Sequence, residues 1–399
     1  MMRRHGAFFL SCLLGFTAGH MFNYTVILYL QEAVGSDWLS GIGFGLAFGS
    51  SLVFGWFAGV LCDRLPPHRI IHGAQALFLA GLACLWWAQT GGADARVAWT
   101  LGGAFLGGLA WSFVGPARLA TIGQIASPAE LRPATIVFNL QVLVGFGLAP
   151  LLIGLVRSRA GWGAVLALAA CAFGASSLLL ARLRTRAVAP GAHHSVRADI
   201  RQGFAAVGAD PLLAQLMLAA VLGYSITGPL QILLPRLARD VLHLSELQRG
   251  AYLGLLALSL IAGGVTALAL ARRVHHGRVV LVGIATGGLL FAALGLLTHP
   301  ALSALALAGV GLAGGMVISL VVAGIQAQAP LALRGRVMAM YSITSQVVPA
   351  LSGVAAGVLL NAVDVSQAVL ASGLALAGLT TLVAWRRVAR LRQYTGHAA

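Results

Sequence analysis

Asp63-Arg64-Leu65-Pro66-Pro67-His68-Arg69-Ile70-Ile71 is a short charged turn between two long apolar runs. One run covers 38–61 and the other 70–89. Each is long enough to cross a hydrocarbon layer as an α-helix, which takes about 20 apolar residues. A short loop rich in Arg between two such helices belongs on the cytoplasmic side, because basic residues are retained there during insertion.

Working outward, apolar runs bounded by charge, Pro or Gly predict spans at 7–31, 38–61, 70–89, 98–122, 134–156, 162–183, 212–235, 250–270, 278–298, 302–326, 337–361 and 366–385. The fold expected is an all-α membrane protein with twelve transmembrane helices. Composition agrees: of 399 residues 59% are hydrophobic and 9% charged, against about 25% charged in soluble chains. The formal charge of +16 would suggest nucleic acid in a soluble protein. Here it reads as loop arginines, and no nucleic-acid partner is expected. All 26 basic residues are Arg.

The arginines also set the direction. With the N-terminus inside, 20 arginines fall on the cytoplasmic side; Arg96, Arg157, Arg159, Arg236, Arg239 and Arg249 make 6 outside. Deleting or adding a span would scramble this alternation. Both termini are therefore expected in the cytoplasm, in a bacterial inner membrane. Met1-Met2-Arg3-Arg4 before an apolar run has the look of a signal peptide, yet the run continues to Leu30, too long for an h-region.

The opening stretch has an echo. Arg272-Arg273-Val274-His275-His276-Gly277-Arg278-Val279-Val280 follows span eight, 209 residues later. Pro128-Ala129-Glu130-Leu131-Arg132 before span five is echoed by Pro330-Leu331-Ala332-Leu333-Arg334 before span eleven, 202 residues later. The predicted organisation is two pseudo-symmetric six-helix bundles, 1–186 and 212–399, joined by a cytoplasmic linker at 187–211. Within that linker, Ile200, Phe204 and Val207 would line one side of a short surface helix. Two parallel repeats are a transporter architecture, with substrate bound near the bilayer midplane.

Gly59-Val60-Leu61-Cys62-Asp63-Arg64-Leu65-Pro66-Pro67-His68-Arg69 resembles the loop signature of the major facilitator superfamily, with Pro66 where that pattern has Gly. Two further stretches resemble its enterobactin-exporter-like branch. One runs from Gly115-Pro116-Ala117-Arg118 through Leu131-Arg132-Pro133-Ala134 to Asn139; the other is Leu333-Arg334-Gly335-Arg336-Val337-Met338-Ala339. Gly145, Ala149, Pro150 and Gly154 in span five resemble an exporter signature, with Ala149 in place of a Gly; ordinary helix packing is the competing reading. The resemblance implies the major facilitator fold and a cytoplasmic gate built on Gly59, Asp63, Arg64, Arg69, Arg118, Arg132, Arg334 and Arg336. It also implies an exporter of a small organic molecule, a siderophore in that branch. Broad drug efflux and lipid translocation on the same scaffold remain alternatives. Arg118 has a second reading, as a cavity cation that attracts an anionic substrate.

Ionisable groups at midplane depth are costly and functional by default. All ten acidic residues fall at helix ends or in loops. His20 is the buried titratable candidate, with Asn23 and Tyr24 on the same helix face. Tyr224, Ser225, Thr227 and Gln231 lie at comparable depth in span seven, and Gln141, Tyr341 and Gln346 add polar groups. Trp56, Trp86, Trp87 and Trp111 add aromatic surface. These residues are the expected substrate or proton pathway, with protons as coupling ion. For each, a plain packing role competes. Cys12, Cys62, Cys84 and Cys171 form no CxxC pair, so neither a disulfide nor a metal site is expected. No ATP-binding loop and no cluster of nucleophile, base and acid occurs, so the chain reads as neither a primary pump nor an enzyme. No cofactor is expected, and the working unit is expected to be a monomer in the bilayer.

Overall fold

In the computed structural model the described residues are 2–181, 183, 185, 196–270, 275–331, 333–386 and 388–395. The linker at 187–195 lies outside them, as do the side chains of Asp63 and Arg132.

The described residues are helical throughout the apolar runs. The helices are α1 (Met2–Glu32), α2 (Asp37–Gly49), α3 (Ser51–Arg64), α4 (Pro67–Ala88), α5 (Ala93–Ile125), α6 (Pro128–Leu180), α7 (Val196–Ala209), α8 (Pro211–Ser225), α9 (Thr227–Asp240), α10 (Glu246–Leu270), α11 (His276–Leu294), α12 (Pro300–Gln328), α13 (Arg334–Leu359), α14 (Val365–Arg386) and α15 (Ala389–Gln393). Among the described residues eleven stretches are long and apolar enough to cross a membrane. One of them, α6, is twice the needed length and breaks at Gly161, with φ at 72°. It holds the predicted spans five and six, so the count of twelve stands.

Sequence chemistry explains the ends. Proline opens α4, α6, α8 and α12, where its missing N–H costs nothing. Asp210 caps α8 by accepting from the Leu212 and Leu213 amides. Ser127 and Glu130 form a capping box on α6. Two predicted spans are split: span two is interrupted at Ser50 between α2 and α3, and span seven at Ile226 between α8 and α9. Neither break leaves the apolar run, so periodicity had nothing to register.

The described chain divides into two compact units, residues 1–193 with 244–254 and residues 194–243 with 255–399. In the first, α1 runs along α6 and α4 along α5. A Cβ added at Gly103 would sit 2.9 Å from the Gly81 carbonyl, so bare backbone sets the α4–α5 spacing. In the second, α11 packs on α12 and α14, and α9 on α13. Gly288 lies as close to the Gly373 carbonyl of α14. The short helix expected near 196–207 is α7, packed on α13 and α8. The tail folds back in the second unit: Val388, Leu391 and Tyr394 are buried, and the Leu391 amide donates to Gln215 Oε1 at 2.7 Å.

Candidate functional site

In the first unit the middle of α1 carries the site. His20 and Asn23 are 9% and 3% exposed. Successive turns of α1 place them with Tyr24 on the side facing α5 and the first half of α6. The His20 ring lies 5.0 Å from Trp111 of α5 and 5.3 Å from Phe146 of α6. Tyr24 lies 5.8 Å from Phe146. Among the described residues, His20 Nε2, both amide heteroatoms of Asn23, Trp111 Nε1 and Gln141 Oε1 are buried without a hydrogen-bond partner. Buried polar atoms are nearly always paired, and the orphaned His20 and Trp111 nitrogens belong to rings in contact, which makes this stretch of α1 the candidate site. The Gln141 amide donates to the Phe9 carbonyl at 2.8 Å, which ties α6 to α1.

In the second unit the Tyr224 and Tyr341 hydroxyls share a 2.6 Å hydrogen bond between α8 and α13. Ser225 Oγ donates to the Leu222 carbonyl at 2.7 Å and is spent locally. Gln231 is buried on α9 with Oε1 unpartnered. Gln346 is half-buried on α13.

The residues assigned to a cytoplasmic gate lie on several elements, and each unit holds some of them. Arg64 and Arg69 are exposed around the turn that follows α3. Gly59 lies on α3, and the Asp63 and Arg132 side chains fall outside the described residues. Arg334 and Arg336 open α13 in the second unit, where Arg336 donates to Gln202 of α7 at 2.5 Å. Arg118 lies inside the first unit with no exposed surface.

The span-five stretch packs closely on its neighbours. A Cβ at Gly145 would meet the Thr17 amide at 2.9 Å, so α6 lies directly on α1. Ala149 is buried. Gly250 approaches the Pro150 carbonyl, and Gly154 approaches Glu246. Here the start of α10, residues 246–254, belongs to the first unit. Beside it Glu32 takes Arg157 and, at 2.9 Å, Arg249; Arg157 stacks 4.1 Å over Trp162.

Sequence reasoning missed this ion cluster and a hydroxyl network of Ser11, Gln75, Ser176 and Ser177. Both appear in the sequence only as single polar residues, 101 to 217 positions from their partners. Among the described residues no group of three or more metal-ligating side chains occurs, and all four cysteines are free.

Similar folds occur among solved transporters. A POT-family transporter in complex with 5-aminolevulinic acid aligns at TM-score 0.77 with 12% identity, covering 96% of both chains. A peptide transporter POT in complex with sulfate aligns at 0.74 with 16% identity, covering 97% of this chain and 95% of that one. A nucleoside transporter aligns at 0.74 with 14% identity, covering 96% and 98%. No curated relative matches the sequence. Residues 7–353 match the Major Facilitator Superfamily profile. A repeated helical sequence, a matching fold and a polar, aromatic buried site thus agree with that profile, and the chain belongs to the Major Facilitator Superfamily of membrane transporters.

Proposed function

We propose that the chain is a secondary active transporter that exports a small organic molecule, a siderophore, from the cytoplasm of a bacterium by proton-driven alternating access. The observation that carries this reading is the orphaned polar set His20, Asn23 and Trp111 among aromatic rings. Such a wall offers stacking surface and neutral hydrogen-bonding groups, which suits an organic molecule with polar substituents better than a bare cation. The branch resemblance at 115–139 and 333–339 supplies the siderophore and the outward direction. His20 is the proton-accepting group in this reading, because all ten acidic residues fall at helix ends or in loops and it is the titratable side chain in the middle of span one.

The test is a deletion strain under iron starvation, with siderophore measured in medium and cells. Intracellular accumulation with reduced secretion is expected; unchanged secretion overturns the siderophore cargo. The same strain challenged with dyes and antibiotics separates a drug-efflux role, which predicts hypersensitivity with normal siderophore export. Liposomes carrying the purified chain and labelled lipid test lipid translocation.

A further inference from the structure

Arg118 presents an electrostatic problem that the transport reading leaves unsolved. It lies in α5, seven residues before the helix ends at Ile125, and has 0% exposure. Its NH2 group donates to Ser176 Oγ at 3.2 Å, and its Nε and NH1 groups have no hydrogen-bond partner among the described residues. The Phe16 ring covers it at 5.3 Å, and the neutral Cys12 thiol lies within hydrogen-bonding and electrostatic reach but brings no counter-charge. Gly15 faces it across α1, where any Cβ would collide with NH2. Among the described residues no carboxylate lies within ion-pair distance of it.

The hydroxyls around it are already committed. Ser176 Oγ donates to the Ser11 carbonyl at 2.8 Å and accepts from Gln75 Nε2 at 2.5 Å. It also contacts Ser11 Oγ at 2.8 Å. Ser177 Oγ donates to Gln75 Oε1. This network is satisfied without Arg118 Nε and NH1, so it cannot take up their charge. A guanidinium stays charged at physiological pH, and a desolvated charge with no counter-charge is strongly disfavoured.

We infer that Arg118 is the anchor of an anion site inside the first unit, which takes one monovalent anion on its free Nε and NH1 donors. The single uncompensated charge selects a monovalent species. Chloride and the carboxylate of a small organic acid share the required chemistry. The Phe16 ring that covers Arg118 also stacks on Trp111 beside His20, and the inference does not depend on which molecule the chain exports or in which direction.

Binding is measured on the full chain purified in detergent with gluconate as the sole anion, using radiolabelled chloride and unlabelled chloride or acetate as competitors. A single saturable component displaced by chloride is expected. Displacement by acetate as well assigns the site to carboxylates, and its absence assigns it to inorganic anions. Wild-type protein without saturable, displaceable chloride binding overturns the inference. Arg118→Gln is expected to weaken binding at least tenfold, and retention of wild-type binding in that variant overturns the inference. If Arg118→Gln fails to fold, Ser176→Ala serves instead. It keeps the charge and removes the acceptor that occupies NH2, freeing a third donor, so chloride is expected to bind several-fold more tightly. An unchanged half-saturation in Ser176→Ala overturns the inference.

Discussion

At the scale of single residues, the site is defined by groups that lack partners and by one pair that has found its own. His20 meets Trp111 and Phe146, and its Nε2 has no hydrogen-bond partner among the described residues. If it accepts the coupling proton, His20→Ala abolishes transport driven by a pH gradient in proteoliposomes and leaves the thermal transition in place. Normal coupling in that variant removes His20 from the mechanism. The Tyr224–Tyr341 bond is a second residue-scale case. A buried hydroxyl left alone costs more than one removed together with its partner. Tyr224→Phe and Tyr341→Phe are each expected to destabilise by about 1–2 kcal/mol, and the double variant by less than their sum. Equal additivity in a double-mutant cycle would show that the two hydroxyls do not interact.

At the scale of elements, close backbone contacts and one ion cluster fix the packing. In the second unit Gly277 of α11 lies against the Leu391 carbonyl of α15, and its amide donates to the Tyr394 carbonyl at 3.1 Å. Gly277→Val has no space for its side chain. It is expected to dislodge α15 and open Arg390 and Arg392 to trypsin, read by mass spectrometry of the digested protein; equal protection in variant and wild type would refute the docking. In the first unit Glu32 at the end of α1 is shared by Arg157 and Arg249. Its side chain is 12% exposed, between a surface pair worth little and a buried one whose loss is severe. Glu32→Gln is expected to cost on the order of 2 kcal/mol, measured by thermal unfolding in detergent. A loss below a few tenths of a kcal/mol would place the cluster among ordinary surface pairs.

At the scale of the whole molecule, orientation rests on the distribution of 26 arginines, 20 of them on one side of the predicted spans. A fluorescent-protein fusion at the C-terminus is expected to fluoresce. An alkaline phosphatase fusion in the loop between α4 and α5, at Gly91 or Gly92, is expected to be active. The reverse pattern would invert the topology and turn the exporter reading into one of uptake.

Much of the fold was legible because the bilayer imposes a length and a polarity on each crossing. Apolar runs and Arg-bearing loops therefore located the spans without any knowledge of contacts. The exceptions were local. The breaks at Ser50 and Ile226 leave no trace in hydropathy. The repeat, the family resemblance and the choice of His20, Asn23 and Tyr24 also came from sequence, through the rarity of polar groups in apolar spans. The tertiary structure decided which of those groups have partners. It set Trp111 and Phe146 against His20, closed Tyr224 on Tyr341, and gathered Glu32, Arg157 and Arg249 from distant positions. It also placed Arg118, read from the sequence as a cytoplasmic gate residue or a cavity cation, in the interior of the first unit with Nε and NH1 unpartnered among the described residues. Periodicity along one helix gives a residue's face and depth. Only the packing of helices from distant parts of the chain fixes what that face meets, and so whether a buried charge is compensated.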